Sequence, residues 1–122
     1  MKKELKDLLH ILLLCIIKNG ENGINNAIVD VDDEFAEYEF DYLLMALTEL
    51  KHLENGEEVD FKNVKDALRH CNRDASCTKE DIKCTIEWYK DGVDYETTDY
   101  HEYEPNDELL DELVEMFENK VC

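Results

Sequence analysis

The feature that most constrains the fold is a nearly unbroken apolar run over residues 8–17, in which His10 is the only polar side chain. Apolar residues from Leu5 to Ile16 recur at three- and four-residue spacing, which predicts a helix over 3–18. A helix that is apolar almost all round is buried on several sides, or is shared with a second subunit in a homodimer through this first helix. The pair Asn19-Gly20 predicts its end.

The same run bears on location, because Met1-Lys2-Lys3 and an apolar stretch superficially resemble a secretion signal. Glu4 and Asp7 interrupt the basic part, however, and no small-residue cleavage site follows the run. A bilayer span takes about 20 apolar residues, which is more than this run offers. We therefore expect a cytoplasmic protein that does not engage membranes.

The cysteines favour the same location. They are odd in number, which suits reduced thiols better than a disulfide framework. The spacings within the one cluster near His70 do not match zinc-binding patterns, so no metal or other cofactor is expected. The five are Cys15, Cys71, Cys77, Cys84 and Cys122.

Other segments carry weaker signals for secondary structure. Apolar periodicity predicts helices over 34–53, with Leu43, Ala46 and Leu47 facing inward, over 60–71, and over 107–119. The β-branched segment 27–31 predicts a short strand. A chain of 122 residues has room for one domain, 1–122, with a modest core.

Residues 82–88 alternate between apolar and polar side chains, which is typical of a half-buried strand. Asp91-Gly92 is a strong turn signal, so we predict a β-hairpin that pairs 82–90 with 93–100. In this register Trp88 faces inward, opposite Tyr95. A helix started by Thr78 and Asp81 is the alternative. The resulting fold class is α+β, with about four helices packed against a small antiparallel sheet that contains the hairpin.

Charge sets the limits on function. The net charge is −19, and residues 91–118 contain twelve carboxylates without a single Lys or Arg. Residues 51–90, by contrast, carry eight basic and nine acidic side chains. Concentrated like charge opposes compaction and repels nucleic acid and anionic membranes. The acidic segment is therefore either a solvated face or a surface that receives a basic partner.

The second interpretation is a phosphate mimic. Neighbouring carboxylates on a helix or strand are about 5–7 Å apart, which approximates part of the phosphate track of DNA. Tyrosines between the carboxylates could act as interface anchors. The predicted partner-binding residues are Glu87, Asp94, Tyr95, Glu96, Asp99, Tyr100, Glu102, Tyr103, Glu104, Asp111, Glu112 and Glu115.

No catalytic motif accompanies this surface. Ser76 is the only serine and no glycine-rich phosphate loop is present, so we expect a protein that is not an enzyme. In size, charge and Asp/Glu/Tyr patterning across 87–118, the chain resembles the small acidic inhibitors of the DNA-mimic type. Phages and mobile elements make these against restriction, CRISPR and DNA-repair enzymes. It is also similar to immunity proteins that neutralise nuclease toxins.

The resemblance implies a non-catalytic inhibitor that covers the basic surface of a nucleic-acid-binding protein, such as a nuclease. It implies no direct binding to nucleic acid. The alternative is an oligomeric regulatory or scaffold protein whose acidic surface provides only solubility.

Overall fold

A computed structural model of the chain describes residues 2–29, 33–71, 78–89 and 104–120, with side chains over 2–21, 40–70, 78–88 and 104–118. These ranges form helices only. The helices are α1 (Lys3–Val29), α2 (Asp33–Glu54), α3 (Phe61–Cys71), α4 (Lys79–Tyr89) and α5 (Asp107–Lys120). None of them combines the length and apolar character needed to cross a bilayer.

Helix α1 is the centre of the fold, and the other four helices all pack against it. Its side chains from Leu8 to Leu13 are fully buried apart from His10, and Cys15 is also buried. Residues from α2, α3, α4 and α5 complete one continuous core around them. The all-round apolar surface of the first helix is therefore covered within a single chain.

The predicted end of the first helix at Asn19-Gly20 is wrong, because α1 continues to Val29. Gly20 is buried where α1 meets α2, and a Cβ at this position would lie 3.3 Å from Leu43 Cδ1. The glycine thus permits a close approach of two helices instead of ending one. The predicted strand over 27–31 is also wrong for residues 27–29, while 30 and 31 lie outside the described residues.

The predicted α+β fold is contradicted, because residues 79–89 form helix α4 where the first strand of the hairpin was expected. Thr78 begins this helix: its Oγ1 accepts a hydrogen bond from the backbone N–H of Asp81 at 3.2 Å. Ile82 and Ile86, four residues apart, are buried on one side. Thr85 is buried as well, and its hydroxyl group is satisfied there because it donates a hydrogen bond to the carbonyl of Asp81 at 2.8 Å. The returning strand, 93–100, lies outside the described residues.

The helices predicted over 34–53, 60–71 and 107–119 are confirmed as α2, α3 and α5. Asn55-Gly56 ends α2, with Gly56 at a φ of 73°. Two hydrogen bonds close this end: Gly56 N–H to the Leu53 carbonyl at 3.3 Å and Glu57 N–H to the His52 carbonyl at 2.8 Å. In α2, Leu43 and Ala46 face inward as predicted, whereas Leu47 is exposed.

Candidate partner-binding surface

Helix α5 presents a row of carboxylates on its outer side. Asn106 fixes where the helix begins, because its Oδ1 accepts hydrogen bonds from the backbone N–H groups of Glu108 and Leu109 at 2.8 and 3.4 Å. The exposed acidic residues are Asp107, Glu108, Asp111, Glu115 and Glu118, with Glu112 half-buried beside them. Positions 108, 111, 115 and 118 are about 4.5–6 Å apart along the axis, from the 1.5 Å rise per residue.

The opposite side of α5 holds this row in place. Leu110, Leu113 and Phe117 are buried in the core. The ring of Phe117 meets that of Phe61 edge-on, with centroids 5.8 Å apart. Since the inner side chains fix the rotation of the helix about its axis, the carboxylates on the other side must face outward.

Two cations of the same chain contact this row. Lys2 Nζ donates a hydrogen bond to Glu112 Oε1 at 2.8 Å, and this bond, together with the charge of Glu112, raises the pKa of Lys2. Lys79, at the start of α4, lies 3.6 Å from Asp111 and 3.8 Å from Asp107. Such solvated pairs contribute little to stability, so a partner's cations could replace them.

Two other carboxylates of the row have no such contact. In the described part of the chain, Glu108 and Glu115 form no ion pair. The row therefore combines these two carboxylates with three, Asp107, Asp111 and Glu112, that contact lysines of the same chain. We refer to the outer carboxylates of residues 107–118 as the acidic row.

Helix α4 adds an aromatic side chain that the sequence interpretation placed on the wrong side. Trp88 was expected to face inward in the hairpin, but 70% of its surface is exposed. Its neighbour Glu87, one of the predicted contact residues, is exposed too. Tryptophan is enriched among the residues that dominate interface energies. Trp88 follows Lys79 by nine residues, however, so it lies on the opposite side of α4 from the lysine that contacts the acidic row. If residues 79–89 are interpreted as a helix with Ile82 and Ile86 facing inward, the sequence predicts that Trp88 is exposed.

The twelve predicted contact residues divide into two groups. Glu87, Glu104, Asp111 and Glu115 are exposed, and Glu112 is half-buried and paired with Lys2. The other seven lie outside the described residues: Asp94, Tyr95, Glu96, Asp99, Tyr100, Glu102 and Tyr103. The structure therefore brings together Asp111, Glu112 and Glu115 on one helix.

A buried carboxylate, which sequence reasoning did not identify, lies between α2 and α3. Glu49 is 1% exposed, and its Oε1 accepts hydrogen bonds from the backbone N–H of Asp60 at 2.8 Å and from His52 Nδ1 at 2.9 Å. Its Oε2 accepts one from Asn63 Nδ2 at 2.9 Å. The only local sequence feature that points to this contact is the position of Glu49 three residues before His52.

Two opposing effects act on the charge of Glu49. Burial raises its pKa, but the hydrogen bonds from Asn63, Asp60 and His52 outweigh burial, so the pKa lies below its usual range. The same contact raises the pKa of His52, because its hydrogen bond to Glu49 favours the protonated ring. The hydrogen bonds from Asp60 and Asn63 connect α2 to the start of α3, which makes this cluster structural.

The described residues offer few features suited to chemistry. No group of three or more His, Cys, Asp or Glu side chains among them could hold a metal ion. An open groove of about 610 Å³ runs between α1, the α2–α3 connection and α5, with Leu53, Phe61 and Met116 in its lining. Lys6 and two carboxylates, Glu57 and Glu58, also line it, in no arrangement that pairs a nucleophile with a base.

In comparisons with known proteins, no family model matches the chain, and no curated protein or solved structure is significantly similar to it.

Proposed function

We propose that this protein is a non-catalytic inhibitor that occupies the basic nucleic-acid-binding surface of another protein, such as a nuclease. Its carboxylates take the positions that phosphates of DNA would occupy. The proposal covers an anti-CRISPR, an anti-restriction or a nuclease-inhibitor role, and includes a cytoplasmic location. The observation that carries it is the acidic row of α5, which is exposed over three turns and lies in a chain of net charge −19.

Spacing supports the proposal. Within the row, Glu108, Asp111, Glu115 and Glu118 follow one another at about 4.5–6 Å along the helix axis. Phosphates of one DNA strand advance about 3.4 Å per nucleotide along the duplex axis, so a groove built for phosphates contains closely spaced cations. One helix could therefore meet several cations of such a groove at once.

Electrostatics also support it. Opposite charge steers two proteins together and speeds association, an effect that salt screens over about 8 Å at physiological ionic strength. Lys2 and Lys79 neutralise only part of the row, through exposed contacts that are easily exchanged.

The experiment is capture followed by competition. The tagged chain is incubated with a bacterial lysate at low and at moderate salt, and captured proteins are eluted with duplex DNA. We expect a basic nucleic-acid-binding protein that DNA displaces, and whose binding or cleavage of DNA the pure chain inhibits. The proposal fails if the captured protein binds DNA and this chain simultaneously, or if nothing captured binds nucleic acid.

A further inference from the structure

Helix α2 has a stripe of apolar side chains that the described part of the chain leaves uncovered. Phe40, Leu44 and Leu47 are 50%, 45% and 42% exposed. Their spacing of four and three residues places them on one side of the helix. Among the described residues only one other large apolar side chain, Trp88, is comparably exposed. Contiguous exposed apolar side chains of this kind mark an interaction surface.

Charged residues flank the two ends of this stripe with opposite sign. Asp41 is exposed next to Phe40, and Lys51 is exposed one turn beyond Leu47. The sequence of α2 before Asp41 is acidic, whereas its last turn contains Lys51 and His52 together with the exposed Glu54. At Asp41 and Lys51 the stripe is therefore complementary to a reversed copy of itself.

We propose that two copies of this chain pair through an antiparallel contact between their α2 helices. In this arrangement Leu44 of each copy faces Leu47 of the other, and Lys51 of each lies beside Phe40 and Asp41 of the other. A two-fold axis between Leu44 and Leu47 makes the interface isologous, as in most homodimers. Antiparallel pairing also aligns the helix dipoles favourably, whereas parallel pairing would set the acidic ends side by side.

A second copy fits this surface better than a strongly basic partner does. The stripe is mainly apolar and its flanking residues include a cation, whereas the acidic row lies on α5. The principal contacts of α2 are with α1 and α3, so pairing through α2 leaves the acidic row exposed on each copy. A dimer would thus present two acidic rows and could bind a two-fold partner more tightly through avidity.

Net charge gives the dimer a distinctive salt dependence. Each copy has a net charge of −19, so the two copies repel each other at long range. Added salt screens this repulsion, while the apolar contact persists. Dimerisation should therefore strengthen as salt rises, opposite to the binding of a basic partner. This inference does not rest on the proposed function, and its failure would leave that function untouched.

Sedimentation equilibrium of the full chain over a concentration series tests the pairing. We expect a reversible dimer for the wild type and at least a tenfold higher dissociation constant for Leu44→Glu. The matched control is Trp88→Glu, which makes the same charge change at an exposed apolar residue of α4 and should dimerise like the wild type. Far-UV circular dichroism checks that both variants remain helical.

The charged ends provide a second test that does not alter the apolar stripe. Asp41→Lys alone and Lys51→Asp alone each set like charges against each other and should weaken the dimer. The double variant restores opposite charges and should recover most of the wild-type affinity. The inference is overturned if the wild type stays monomeric at moderate salt, if Leu44→Glu dimerises like the wild type, or if the double variant is weaker than both single ones.

Discussion

At the scale of single residues, Glu49 determines how the end of α2 meets the start of α3. Its carboxylate is buried, yet three donors from both helices and their connection reach it. Hydrogen bonds to a charged group contribute about 1.5–3 kcal/mol each when their loss leaves buried partners unsatisfied. One side chain therefore fixes the geometry of the α2–α3 corner.

Replacing this carboxylate by an amide tests that role. In Glu49→Gln, an NH₂ group replaces one of the two carboxylate oxygens. This donor must face either Asn63 Nδ2 or the donors from His52 and Asp60, so donors then face each other. We expect the free energy of unfolding, measured in urea, to fall by about 2 kcal/mol. Glu58→Gln makes the same change at an exposed carboxylate and should stay within about 0.5 kcal/mol of the wild type. Equal stabilities of the two variants would contradict the role.

The pair also predicts how stability depends on pH. The pKa of Glu49 is lowered by folding, so its contribution is present above the unfolded value of about 4.3 and is lost as pH falls through the lower folded value. The pKa of His52 is raised, so its contribution is complete below about 6.5 and is lost as pH rises through the higher folded value.

The contact is therefore strongest between about pH 4.3 and 6.5. The difference in unfolding free energy between the wild type and His52→Gln should decline above this window. Urea unfolding at a series of pH values measures it. A difference that grows from pH 6 to pH 8 would have the wrong sign.

At the scale of elements, the local sequence pattern predicted three helices correctly, and the predictions for two other segments were wrong. α2, α3 and α5 have long or strongly amphipathic patterns with clear ends, such as Gly56 and Asn106. α4 is short, and its alternation of Ile82, Cys84, Ile86 and Trp88 fits a strand. Ile82 and Ile86 fit a helix equally well, and the burial of Thr85 depends on a hydrogen bond to Asp81 that exists only within the helix.

The end of the first helix was misjudged for a different reason. Glycine disfavours helix interiors by about 1 kcal/mol relative to alanine, so Asn19-Gly20 predicts a stop. Packing of Gly20 against Leu43 outweighs that preference, and no local pattern contains this information. The contact depends on how α1 and α2 cross, which is a property of the folded chain.

Substitutions at Gly20 test this crossing. Alanine gains about 1 kcal/mol of helix propensity but places its Cβ 3.3 Å from Leu43 Cδ1, so we expect a change near zero. Valine cannot be accommodated without separating the helices and should lower the unfolding free energy by about 2 kcal/mol. Thermal and urea unfolding measure both. If valine is tolerated as well as alanine, α1 and α2 do not approach closely at this point.

The ion pairs of α4 with α5 give a prediction on binding. Lys79→Ala removes a cation that competes with the partner for Asp107 and Asp111. We expect stability to change by less than about 1 kcal/mol, while affinity for the captured partner rises severalfold. Lys83→Ala removes the same charge from an exposed site of α4 that forms no ion pair with the described residues, and should raise affinity less. Isothermal calorimetry compares the two, and equal gains would show that net charge alone matters.

At the scale of the whole molecule, the sequence predicted the acidic character of the surface but not its distribution. Composition indicates the net charge, and the periodicity of 107–119 indicates an acidic outer side for α5. It cannot show that Lys2 and Lys79 come from distant parts of the chain to pair with Glu112 and Asp111. Nor could it place Trp88 outward, because that depends on the choice between helix and strand at α4.

The central claim is that the acidic row binds in place of phosphates, and charge reversal tests it most directly. Glu115→Lys lies within the row. Glu21→Lys makes the same change at an exposed position of α1, 19 residues or about 28 Å of helix beyond the Lys2 end that contacts Glu112. The measurement is the dissociation constant for the captured partner as a function of salt.

We expect Glu115→Lys to bind at least tenfold more weakly and with a shallower salt dependence, and Glu21→Lys to stay within about threefold of the wild type, or about 0.65 kcal/mol. Equal losses for the two variants would mean that the acid acts only through net charge. Unchanged binding by Glu115→Lys would mean that the partner does not contact α5, and the phosphate-mimic account would be contradicted.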